Sequence, residues 1–210
     1  MTNSYFHLHF PEPTFSEQIV YDSFLDSIDG FSQQIASGGS ITLGTAKVTL
    51  SSGGGAGGEA VLTKKLTYPR LLPTWARKRS FRMRANIVAA VDAAPLISIA
   101  TGLDVAGSRG FGFRFLPTKI EGFTRNGAPE THTDLLTPIA QPYTKNEIWE
   151  AVLTPGQKVD FFISGALVGS ITTNIPSGST AAENICQLVI HADAAALHTM
   201  ETSEIRVIQE

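Results

Sequence analysis

Between Asn146 and Gly178 apolar and polar positions alternate in three short bursts, each closed by residues that turn the chain. Trp149, Ala151 and Leu153 interleave with Ile148, Glu150 and Val152, the period-two spacing of a strand with one buried face. Thr154-Pro155-Gly156-Gln157 is a turn, because proline presets φ and glycine accepts a positive φ. Val159, Phe161 and Ile163 restart the alternation, Ser164-Gly165 reverses the chain, and Leu167 to Thr173 returns. The same period runs through Arg79 to Ile87, where Phe81, Met83, Ala85 and Ile87 oppose Arg82, Arg84 and Asn86. In Gly110 to Phe115 it places Phe111, Phe113 and Phe115 on one face and Gly112 and Arg114 on the other.

Further strands are expected at 41–43, 47–50, 60–68, 96–101, 120–125, 184–192 and 202–209. That makes about a dozen strands and no long helix. Residues 14–37 have irregular apolar spacing with room for one short helical turn. Residues 51–58, Ser-Ser followed by a glycine run, read as a flexible connection between two strands of one domain. Residues 128–145, punctuated by Pro129, Pro138 and Pro142, read as mostly loop.

Composition supports an all-β chain. Nineteen glycines and eleven prolines among 210 residues suit many turns and disfavour a helical bundle. The length fits one sandwich domain at 14–210, preceded at 1–13 by an arm or edge strand closed by Pro11 and Pro13. In that arm Tyr5, Phe6, Leu8 and Phe10 are the candidate assembly residues. The formal net charge of -3 points away from nucleic acid and anionic membranes as partners. Eight of the sixteen basic residues lie between Lys64 and Arg84 with no acid among them. They read as a sheet face paired with acids such as Glu121, Glu150 or Asp160, or as a contact for an acidic neighbour. The single cysteine, Cys186, excludes an internal disulfide and reads as a buried thiol. The first residues lack a basic stretch followed by an apolar core, so no signal peptide is expected. No apolar run approaches the ~20 residues of a membrane span, so no membrane insertion is expected. Synthesis in a cytoplasm follows from these two readings.

The order of these pieces resembles the concanavalin A-like lectin/glucanase jelly roll, in the non-catalytic form found in phage and bacterial surface proteins. The resemblance covers roughly residues 14–210. It rests on YDSFLDSIDGF, the hairpin ending in a glycine loop, Trp75 with RSFRMRANI, GFGFRF, and above all VDFFISGALVGSITTNIPSG. It implies a two-sheet antiparallel β-sandwich, and a role that varies widely on this fold.

Glucanases of that superfamily carry two Glu and an Asp on one strand, spaced so that all face one groove. No such set is present: Glu201 and Glu204 have no Asp between them, and Glu147 and Glu150 differ in strand parity. Glu150 and Asp160 lie on adjacent strands but do not complete a trio. No nucleophile elbow replaces it. The histidines are scattered; His7 and His9 share a strand face, and His191, Asp193 and His198 surround a loop. No metal site is expected, with Asp22, Asp26 and Asp29 the weak candidates for calcium. Glycan binding would use Tyr68, Trp75, Tyr143 or Phe162 as ring platforms with Arg82, Arg84 and Arg114 as donors. Trp149 and the Phe111/Phe113/Phe115 row read as core. The expected function is a non-catalytic binding or assembly module of a virion or similar particle surface. Its partners would be other surface proteins, copies of itself in a homo-oligomer, or a host glycan. A bacterial carbohydrate-binding module is the alternative, and a glucanase the third reading.

Overall fold

A computed structural model describes residues 18–24, 30–65, 75–102, 109–127, 129–178 and 184–210, with backbone alone at 18–24, 65 and 184. Among the described residues, fifteen strands form two antiparallel sheets. The eight-stranded sheet runs β13 (Ala166–Ile171), β12 (Lys158–Ile163), β11 (Tyr143–Thr154), β6 (Arg79–Ala89), β15 (Thr199–Gln209), β4 (Lys47–Ser51) and β3 (Ser40–Gly44). Its eighth strand, β1 (Gln18–Phe24), pairs with the far end of β15. The seven-stranded sheet runs β10 (Thr131–Leu136), β9 (Ile120–Asn126), β8 (Arg109–Phe115), β7 (Leu96–Thr101), β14 (Asn184–His191), β5 (Glu59–Lys65) and β2 (Phe31–Ala36). The arrangement is an all-β sandwich of jelly-roll type.

Alternation decides which side chains meet between the sheets. In β6 every second residue from Arg79 to Ala89 is buried, and β11 and β15 repeat the pattern beside it. The core is centred on aromatic rings: Phe113 packs edge-on to Trp149 at 5.5 Å and to Phe161 at 5.4 Å, and Phe115 to Trp149 at 4.8 Å. Gly122 of β9 makes this packing possible. A Cβ there would lie 2.7–2.8 Å from the Phe161 ring, so the small residue marks where one sheet admits a ring of the other. Cys186 is fully buried, and burial pushes its thiol pKa up to about 12.

Three segments differ from the sequence reading. Residues 14–37 hold strands β1 and β2 and, among the described residues, no helical turn. Residues 128–145 contain β10 and the start of β11. The glycine stretch 51–58 crosses between the sheets under hydrogen-bond control: Gly57 N–H donates to Ala192 O and Ala192 N–H to Gly58 O, both at 2.9 Å. Gly53, at φ 72°, and Gly58 leave no room for a Cβ against Gly38 and Ser52 backbone atoms.

Candidate functional site

The two outer faces of the sandwich differ in how far their polar groups satisfy one another. On the seven-stranded sheet, β8 presents Gly112 and Arg114, β9 presents Glu121, Phe123 and Arg125, and the β10 edge presents Glu130, His132 and Asp134. Register sets Arg114 opposite Glu121, Glu121 opposite Asp134, and Phe123 opposite His132. Arg114 pairs with Glu130 and lays its guanidinium 5.1 Å from the Phe123 ring centroid. Arg125 reaches Glu130 at 3.7 Å. Lys119 pairs with Glu121 and, at 2.8 Å, with Asp134, and those contacts raise its pKa above the ordinary lysine value. His132 stands between the glutamates, Nδ1 3.2 Å from Glu121 and Nε2 3.5 Å from Glu130. Three cations thus meet three carboxylates, and each oxygen of Glu121 and Glu130 lies within 3.7 Å of a side-chain nitrogen.

The outer face of the eight-stranded sheet is built differently. One row across it runs Phe162, Glu150, Arg82, Arg206 on β12, β11, β6 and β15. The next carries Ile148, Arg84 and Glu204, and the next Asn146, Asn86 and Glu201. Arg82, Arg84, Glu150 and Glu204 form no ion pair among the described residues, although register brings opposite charges side by side. Arg82 Nε and Asn86 Oδ1 are buried with no hydrogen-bond partner among the described residues. Unmet buried polar atoms are uncommon in folded proteins. Asn86 borders a cavity of about 170 Å³ lined also by Lys47, Arg84, Asn146, Glu201, Thr202 and Ser203. A bulge in β15, where Thr202 pairs with Ala85 and Glu204 with Arg84, inserts Ser203 at its wall. Lys47 and Glu201 close one side as an ion pair at 3.0 Å. The lining offers cationic donors, two amides, two hydroxyls and one carboxylate, a set suited to a ligand rich in hydroxyl groups.

Of the sequence-predicted site residues, Arg82, Arg84 and Phe162 converge on this face, Phe162 half-buried on β12 beside Glu150. Arg114 lies on the opposite sheet, committed to Glu130. Trp75 and Tyr143 are not platforms: Trp75 is 1% exposed, edge-on to Phe111 at 6.1 Å and beneath the Arg79 guanidinium at 4.3 Å. Tyr143, 9% exposed, donates its hydroxyl to Leu116 O at 3.3 Å, and burial raises its pKa above the ordinary tyrosine value. Both rings are large apolar bodies, and the core claims them. Tyr68, the assembly candidates Tyr5, Phe6, Leu8 and Phe10, His7 and His9, and the calcium candidates Asp26 and Asp29 lie outside the described residues, as does the side chain of Asp22. Glu150 and Asp160 do share a face, but Asp160 is occupied by Ser170 and by Lys158 at 2.8 Å. Burial works against its charge, yet these hydrogen bonds outweigh it and hold its pKa below the usual carboxylate range.

Sequence reasoning missed the Asn86–Asn146–Glu201 cavity, which requires register across three strands. It also missed the Glu130/His132/Asp134 edge, whose signal is visible as polar alternation with Thr131, Thr133 and Leu135.

A third polar cluster is buried. His198 Nε2 lies 2.9 Å from Asp92 Oδ2, while its Nδ1 accepts from Ala90 N–H at 3.2 Å. The backbone donor fixes the tautomer: Nε2 carries the proton and donates a hydrogen bond to Asp92 Oδ2. Asp92 also accepts from the N–H groups of Asp193, Ala94 and Ala194. Burial opposes its ionisation, but the hydrogen bond from His198 and those three N–H groups hold its pKa below the usual value. Ser52 completes the residue types of a hydrolytic triad but not its geometry. Its hydroxyl touches His198 N and Ala196 O, never the imidazole, whose nitrogens are both taken. The cluster is a structural clamp.

No family model matches the sequence, and no curated protein matches it. Solved structures do match. A botulinum neurotoxin type C chain, described as interacting with two ganglioside molecules, is 12% identical with a TM-score of 0.56, over 84% of this chain and 42% of that one. The binding domain of botulinum neurotoxin DC, in complex with rat synaptotagmin II, is 13% identical with a TM-score of 0.58, over 84% and 43%. A Bacillus licheniformis beta-glucanase is 15% identical with a TM-score of 0.57, over 89% and 96%. The chain therefore spans less than half of the toxin chains and nearly all of the glucanase. What is shared at these identities is the fold, a concanavalin A-like jelly roll.

Proposed function

We propose that this chain is a non-catalytic recognition module that binds hydroxyl-rich ligands, glycans foremost, on the outer face of its eight-stranded sheet. The carrying observation is the buried Asn86 Oδ1, with no hydrogen-bond partner among the described residues, in the wall of a cavity of monosaccharide scale that it shares with Arg84, which forms no ion pair among those residues. Amide groups at Asn86 and Asn146 would each donate to and accept from vicinal hydroxyls, Glu201 would accept, and Arg84 would donate. Half-buried Phe162 offers an apolar flank beyond Arg82 and Glu150. The saturated ion pairs of the opposite face support binding without cleavage. That one structural neighbour interacts with gangliosides and another is a glucanase supports a sugar as the ligand class on this scaffold. The setting we propose is the surface of a virion or comparable particle, on the resemblance of the sequence to phage surface jelly rolls. Co-sedimentation with particles tests that setting separately from the ligand.

A glycan array probed with wild type, Asn86→Ala and Arg84→Ala tests the site. Loss of one neutral hydrogen bond predicts roughly 2- to 12-fold weaker binding for Asn86→Ala, and loss of a charged donor about tenfold or more for Arg84→Ala. Binding that both variants retain at wild-type strength would remove the site from this face.

A further inference from the structure

The cavity on the outer face of the eight-stranded sheet is unbalanced in charge. Its lining carries two cations, Lys47 and Arg84, and one carboxylate, Glu201. Lys47 and Glu201 neutralise each other at 3.0 Å. Arg84 is exposed and forms no ion pair among the described residues. Register puts Ile148 on one side of it and Glu204 on the other. Ile148 carries no charge, and Glu204, just past the β15 bulge, makes no ion pair with Arg84. Thr202 Oγ1 donates to Arg84 O at 2.9 Å, so the backbone from which this guanidinium projects is tied to the bulge.

An uncompensated guanidinium fits a planar anion better than a hydroxyl, because its fork of N–H donors takes both oxygens of a carboxylate at once. Asn86 makes the opposite demand: its Oδ1, buried with no partner among the described residues, requires a donor. Arg84 and Asn86 stand two residues apart on one face of β6, about 6.6 Å along the strand. A single six-membered sugar ring, with an acid group at one end and hydroxyls at the other, spans such an interval. Resting on the recognition function proposed above, we infer that the ligand at this site is an acidic sugar, its anion on Arg84 and its hydroxyls on Asn86 and Asn146.

The anion is a carboxylate, as in a hexuronate, or a sulfate ester, and guanidinium donors serve both. The formal net charge of -3 does not oppose it. At physiological salt, exposed charges more than about 8 Å away are screened, so the groups around Arg84 decide. Glu204 is the nearest opposing charge by register, and it limits how tightly the anion is held.

Isothermal titration of the full chain with matched oligosaccharides tests this. Each set shares one core and ends in a neutral hexose, the corresponding hexuronate or the sulfated hexose, in the glucose, galactose and mannose series. An acidic member is expected to bind about five- to tenfold more tightly than its neutral counterpart at low salt, a preference that shrinks as salt is raised. Preference for either acidic form supports the inference, and the tighter of the two identifies the anion. Arg84→Gln is expected to bring the acidic-to-neutral ratio close to one, and Arg84→Lys to keep most of it. Glu204→Gln is expected to strengthen acidic binding about two- to fivefold while leaving the neutral member unchanged, a gain that a misfolded variant does not produce. Neutral members that bind as tightly as acidic ones, or a ratio that survives Arg84→Gln, overturn the inference and leave sugar recognition standing. Failure of every member to bind removes the recognition reading, and this inference with it.

Discussion

Replacing Asp92 by asparagine tests the buried clamp most sharply, because the side chain keeps its shape and loses one acceptor oxygen. Oδ2 receives His198 Nε2–H at 2.9 Å and Asp193 N–H at 3.0 Å, while Oδ1 receives Ala94 and Ala194 N–H at 3.3 Å. Whichever way the amide turns, its NH₂ faces two donors. Two hydrogen bonds to a charged acceptor are lost, each worth about 1.5–3 kcal/mol, so Asp92→Asn should cost about 3–5 kcal/mol after relaxation. For a chain of this size that lowers Tm by roughly 6–20 °C. Urea denaturation at pH 7 measures it. The pH dependence has a defined sign. The folded pKa of Asp92 lies below its unfolded value of about 3.9, so its stabilisation is complete well above that pH and fades as pH falls through the folded value. The gap between wild type and variant should therefore narrow below about pH 4. A cost below about 1 kcal/mol at pH 7, or a gap that widens in acid, would refute this account of the clamp.

Two further predictions concern the core. Gly122→Ala forces a Cβ within 2.7–2.8 Å of the Phe161 ring and should destabilise by about 1–3 kcal/mol, with partial recovery in the Gly122→Ala, Phe161→Leu double variant. A neutral effect in thermal melts would contradict the packing described. Cys186, buried and with its pKa at about 12, should resist alkylation at pH 8 in the folded protein and react in urea. Rapid native labelling followed by mass spectrometry would show the site to be open.

Much of the sandwich is written locally. Arg79–Ala89, Arg109–Phe115 and the hairpin from Lys158 to Ile171 alternate so strictly that strand, inward face and turn follow from the residues alone. Strand β10 was illegible because its two faces are Thr/Leu and Glu/His/Asp, without the apolar row that marks a half-buried strand. Strand β2 was obscured likewise: an exposed edge need not bury a face. The fates of Trp75 and Tyr143 could not be read either, since a ring near a proline-rich loop looks the same whether it turns outwards or into the core. Gly102 decides for Trp75, whose ring lies where a Cβ at that position would otherwise stand. The binding face shows the general limit. Asn86, Asn146 and Glu201 are far apart in sequence and become neighbours through the pairings of β6 with β11 and β15. Those pairings are set by turn lengths and one bulge, not by local pattern.

An NMR titration with the strongest glycan from the array tests the central claim most directly, because one experiment reports where the ligand sits and whether it survives. Amide shifts concentrated on β6, β11 and β15 around Arg84, Asn86, Asn146 and Glu201, with the sugar signals unchanged over days, are the result expected. Shifts centred on Glu121, Glu130 and His132, or the growth of signals from a new reducing end, would contradict it.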